Sequence, residues 1–126
     1  MPRPVHFEIH AADPEAVCRF YQTVFGWEFQ RWGDVPYWVT QTGTESPGID
    51  GAVLQRVTEP PAEGQPVNAF VVTVQVENLD STLSAVMANG GSLALEKQTH
   101  PGVGVVAYVK DPDGNILGIL EPEPRS

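Results

Sequence analysis

The feature that most constrains this chain is a pattern of structural punctuation that runs twice, 65 positions apart. Asp13, a residue suited to cap a helix, falls on Asn78, which is equally suited. The helix stop Gly26 falls on Gly91, and the strand residue Ile9 falls on Val74. Identity between the halves is slight, so the repeat is one of pattern. Each half reads as one strand, one helix and three further strands. Two like units usually pack about a pseudo-twofold axis and build a site between them. The 126 residues suit one domain spanning 1–126, with modules at about 4–57 and 68–122. Residues 58–67, rich in Pro and polar side chains, cannot continue a sheet and read as a linker.

Residues 5–10 alternate apolar and polar, the mark of a half-buried strand. Asp13-Pro14-Glu15 opens a helix whose apolar stripe is Ala16, Val17, Phe20, Tyr21 and Val24, and Gly26 closes it. Strands are expected at about 27–31, 36–42 and 51–57. The second module begins with a strand at 69–76. A helix capped by Asn78 follows, with Leu79, Leu83, Val86 and Met87 on one face. Strands at about 92–98, 103–109 and 115–121 complete it, the last two joined by the turn Asp111-Pro112-Asp113-Gly114.

Alternation assigns faces. Val5, Phe7 and Ile9 must cover the helix, so His6, Glu8 and His10 look the other way. The same rule turns Val71, Thr73 and Gln75 away from the second helix. The expected fold class is therefore α+β: two βαβββ modules forming curved mixed sheets around a cleft, with partly polar inner faces.

Charge narrows the partners. The formal net charge is −9, with 16 acidic against 7 basic residues, and no Lys/Arg cluster exists for a polyanion. Nucleic acid and anionic membrane surface are not expected partners. No long apolar run or secretion signal is present, so a cytoplasmic protein is expected. Cys18, the only cysteine, reads as a small core residue of the first helix.

Several stretches carry a family resemblance. They are Val5-His6-Phe7-Glu8-Ile9-His10 followed by Asp13-Pro14, Phe20-Tyr21 leading to Phe25-Gly26-Trp27, Asn89-Gly90-Gly91, and Lys110-Asp111-Pro112-Asp113-Gly114-Asn115. In order and spacing the chain resembles the vicinal oxygen chelate superfamily, the glyoxalase, bleomycin resistance and dioxygenase family. That family includes lyases, epimerases, dioxygenases and non-catalytic drug-binding proteins. The resemblance implies a homodimer and, in the metalloenzymes, a divalent ion (Ni, Zn, Fe or Mn) held by His and Glu of the inner face. His6 is the only ligand position that matches. Its second-module counterpart is Val71, and the carboxylate expected four residues past Gly114 is Gly118. The 51–57 strand offers Gly51, Val53 and Gln55 on one face, with no carboxylate. Glu121 has the opposite facing to Gly118. No metal site and no other cofactor are expected.

A site rebuilt from His6, Glu8 and His10 meets a spacing problem. Alternate residues of a strand lie about 6.6 Å apart, so all three reach one ion with difficulty. The cleft candidates are His6, Glu8, His10, Trp38, Thr73 and Tyr108. Tyr37 and Trp38 are strand neighbours, so only one of them can share the His6 face. Arg56 is a candidate partner for an anion, and His100, in the turn with Pro101 and Gly102, is read as exposed and without a role. The leading functional expectation is a small-molecule-binding protein or an enzyme lacking the standard metal. The alternatives are a divalent-metal lyase, isomerase or dioxygenase, and a non-catalytic structural or interaction subunit.

Overall fold

The computed structural model describes residues 3–67 and 70–124. The chain divides into two compact units, Met1–Pro60 and Pro61–Ser126, at a point inside the Pro-rich stretch. Unit 1 contains β1 (His6–Ala11), α1 (Pro14–Phe25), β2 (Glu28–Arg31), β3 (Tyr37–Gln41) and β4 (Asp50–Gln55). Unit 2 contains β5 (Thr73–Gln75), α2 (Leu79–Ala88), β6 (Ser92–His100), β7 (Gly104–Lys110) and β8 (Ile116–Pro122). The strand orders are β1-β4-β3-β2 and β5-β8-β7-β6, the same topology twice. In each sheet the first strand runs parallel to the last and the other neighbours are antiparallel. The fold is α+β.

Helix α1 forms where its punctuation dictates. Asp13 Oδ1 accepts a hydrogen bond from the Ala16 N–H at 3.2 Å, and Pro14 occupies the first turn, where no N–H is needed. Gly26 adopts φ 78°, a left-handed conformation that favours glycine, and its N–H reaches Gln22 O at 2.8 Å. Val17, Phe20 and Tyr21 are buried on the sheet side. Each such side chain contributes roughly 1.5–3 kcal/mol when fully buried. Tyr21 stacks on Trp27 at 5.0 Å between ring centroids, and Phe7 of β1 meets Trp27 at 5.7 Å. That aromatic group pins Phe7 to the helix side and so commits its neighbours His6 and Glu8 to the opposite face. In unit 2 the core is Leu79, Val86, Ala107, Val109, Leu117 and Ile119.

The observed strands depart from the expected ones in four informative places. Val5 precedes β1 and is 77% exposed, so it does not cover α1. β4 begins at Asp50, one residue early, because the pairing with β1 starts at His6↔Asp50. β5 is only Thr73–Gln75. Of the segment expected as strand, Ala69 lies outside the described residues, and residues 70–72 make no ladder although Val72 O accepts from the Gly118 N–H at 2.8 Å. β6 runs through to His100, which pairs with Gly104, rather than ending before a His100 turn. Two register shifts along it, Leu93/Leu95 and Leu95/Gln98, are the price of that length.

Candidate functional site

On β1 the residues paired with β4 decide what shares a face. His6, Glu8 and His10 stand opposite Asp50, Ala52 and Leu54, whereas Phe7, Ile9 and Ala11 stand opposite Gly51, Val53 and Gln55. The second set faces α1. The His6 face of β4 therefore does carry a carboxylate, Asp50, which the expected strand start at residue 51 had hidden. Asp50 Oδ1 already accepts from Thr42 N at 2.9 Å and Thr42 Oγ1 at 3.2 Å.

Glu8 sits between the two imidazoles and divides its oxygens between them. Oε2 lies 3.9 Å from His6 Nε2, and Oε1 lies 3.6 Å from His10 Nε2. The side chains are about half in solvent, 44% exposed for each histidine and 45% for Glu8. The Tyr37 hydroxyl stands 3.4 Å from His6 Nε2. Beyond His10, the Arg56 guanidinium donates from Nη2 to the His10 carbonyl at 2.7 Å. The arrangement is a row of proton donors and acceptors along one strand, joined by a phenol from another.

Trp38 is not part of that row. It pairs with Val53, which pairs with Ile9, so its ring is on the α1 side of the sheet. There the Arg31 guanidinium lies 5.0 Å from the ring centroid. Its neighbour Tyr37 takes the His6 side. Sequence alone shows that one of the two must face His6. The choice depends on the β3–β4 register, which the 42–49 turn sets.

In unit 2, Thr73 pairs with Gly118 and Gly118 with Tyr108, so these three share the face turned from α2. A Cβ on Gly118 would lie 2.8 Å from Thr73 Oγ1 and 3.2 Å from Tyr108 Cε1. Thr73 and Tyr108 thus close over the glycine from both sides. The set Thr73–Gly118–Tyr108 is the register counterpart of Glu8–Ala52–Val39 in unit 1. Glu121 faces the other way, and its Oε1 accepts from the Leu79 N–H at 2.8 Å, capping α2. Asp111, 3% exposed, is consumed by its own turn: Oδ1 accepts from Asp113 N at 2.9 Å and Asn115 N at 3.0 Å.

This donor set does not fit the four-ligand centre that the resemblance implies. Val71 has no donor atom, and Gly118 has neither a side chain nor room for one without displacing Thr73 and Tyr108. Such a centre requires converging donors of suitable type. Among the described residues no group of three or more His, Cys, Asp or Glu is placed to hold an ion.

The profile of the Glyoxalase/Bleomycin resistance protein/Dioxygenase superfamily matches residues 3–119. The chain belongs to that superfamily. It is 34% identical over 117 residues to a glyoxylase-like domain-containing protein of Didymella fabae, covering 89% of this chain and 88% of that one. Among solved structures it resembles a mutant of the fosfomycin resistance protein FosX from Listeria monocytogenes. The TM-score is 0.74 at 15% identity, over 98% of this chain and 92% of the other. That structure contains Mn(II) and 1S,2S-dihydroxypropylphosphonic acid. A glyoxalase-related enzyme from Fulvimarina pelagi aligns with TM-score 0.70 at 22% identity, over 95% and 88% of the two chains. At these identities the structural likeness speaks for the fold alone. Among the described residues no helix is long and apolar enough to cross a membrane.

Proposed function

We propose that this chain is a small-molecule-binding member of its superfamily that works without the standard metal centre, with the β1 row of unit 1 as the ligand-contacting surface. His6, Glu8, His10 and Tyr37 make the polar contacts there, and Thr73 with Tyr108 forms the corresponding face of unit 2. The observation that carries the reading is Gly118. Where a ligating carboxylate is expected, there is no side chain, and Thr73 and Tyr108 occupy the space one would need. Support for a ligand role comes from the half-exposed imidazole–carboxylate–imidazole row, a combination able to accept, donate and relay protons. The proposal includes a cytoplasmic homodimer.

The test is a thermal-shift panel of small metabolites on the full chain, with Glu8→Gln as the control. A compound that raises the melting temperature of the wild type and loses most of that effect in Glu8→Gln supports the reading. No response to any compound, or one indifferent to Glu8, contradicts it. A divalent-metal lyase, isomerase or dioxygenase is the second reading. It is favoured by Asp50, which adds a carboxylate beside His6 in the β1–β4 register.

A further inference from the structure

Among the described residues the Tyr37 hydroxyl is the polar group within hydrogen-bond distance of His6 Nε2, at 3.4 Å. Glu8 Oε2, at 3.9 Å from the same nitrogen, is beyond that reach. We propose that Tyr37 is a positioning residue of this site: its O–H donates to His6 Nε2, engaging the ring's one lone pair and placing the ring proton on Nδ1, so that the ring's remaining polar group is an N–H donor. A phenol is a good donor and a poor acceptor, whereas a neutral imidazole nitrogen is a strong acceptor. The hydrogen bond made at one ring nitrogen decides which of the two is protonated.

The consequence is a class of ligand. Beside His6, whose free ring nitrogen is a donor, the face presents two carboxylates, Glu8 and Asp50, while the cation Arg56 stands at the far, His10 end of the row. A group entering there must donate to those carboxylates, as a hydroxyl, an amide N–H or an ammonium does. A phosphate or carboxylate would meet the negative charge of both carboxylates. The ligand class rests on the proposed binding role of the β1 row; the placement of the proton does not.

Long-range proton–nitrogen spectra of the full chain labelled in its histidines read this directly. His6 is identified by the signals lost in His6→Gln, at a pH where the spectrum shows a neutral ring. The wild type should carry the His6 proton on Nδ1. Tyr37→Phe, which keeps the ring volume, should move it toward Nε2, and Glu8→Gln should leave it on Nδ1. A wild-type proton on Nε2 would overturn the proposal. So would a Tyr37→Phe spectrum identical to wild type, or a Glu8→Gln shift as large as that of Tyr37→Phe. If Tyr37→Phe does not fold, the wild-type proton position alone decides. Adding inorganic phosphate should leave the His6 signals in place; saturable movement would overturn the ligand class. A barren metabolite panel would sink the binding role while leaving the Nδ1 proton in place, so the two failures are distinguishable.

Discussion

Cys18 lies on the buried stripe of α1, 8% exposed. Burial, reinforced by the charge of Glu15 and opposed by Arg19, pushes its thiol from 9.0 up to about 12. The folded chain therefore holds this proton to higher pH than the unfolded chain does. The stabilisation linked to it is fully present below pH 9.0 and is lost as pH rises through about 12. Denaturation midpoints should fall across that window more steeply in the wild type than in Cys18→Ala. An equal slope would contradict the shift. At neutral pH the thiol should react with a disulfide reagent only as fast as the chain opens, since the thiolate is the nucleophile. At Gly118 the prediction is steric. Gly118→Ala should cost about 1–2 kcal/mol, in the range of overpacked sites, and Thr73→Ala in the same chain should recover most of it, read from denaturant midpoints. Full stability in the single variant would show that the space over Gly118 is open. The missing carboxylate at 118 is legible in the sequence. That Thr73 and Tyr108 fill its place is not, because it depends on which residues β5, β7 and β8 set side by side.

At the scale of elements, helices were the most legible part, since their caps and apolar stripes are local. Asp13, Gly26 and Asn78 act where their chemistry says they should, with Asn78 Oδ1 accepting from the Ser81 N–H at 2.8 Å. Strand boundaries and registers are set by partners distant in sequence. For that reason β4 begins at Asp50 rather than at 51, β5 is shorter than alternation predicts, and Tyr37 rather than Trp38 shares the His6 face. Glu121 shows the same limit: its facing is readable, but its partner is not. Its carboxylate meets the first N–H of α2, where negative charge is favoured. Glu121→Ala should destabilise unit 2 by about 0.5–2 kcal/mol, as loss of a helix cap does. The loss should appear in hydrogen exchange of the first turn of α2. Unchanged protection there would contradict the capping role.

At the scale of the molecule, the offset of 65 residues that joins Asp13 to Asn78 also joins Glu8 to Thr73, and the two sheets share one strand order. Two modules of one topology were therefore legible from caps and alternation alone; the superfamily entered through the motif resemblance and is shown by the profile match over residues 3–119. What the modules do with the shared topology is less uniform. Unit 1 sets an imidazole–carboxylate–imidazole row on its open face; unit 2 sets a threonine and a tyrosine over a glycine. That asymmetry supports the proposal that the standard metal centre is not the working part of this protein. Its most direct test is elemental analysis of the full chain, purified without chelator and then dialysed against Ni, Zn, Fe or Mn. The account predicts far less than one equivalent of each per chain; one tightly held equivalent, lost on His6→Ala, would contradict it.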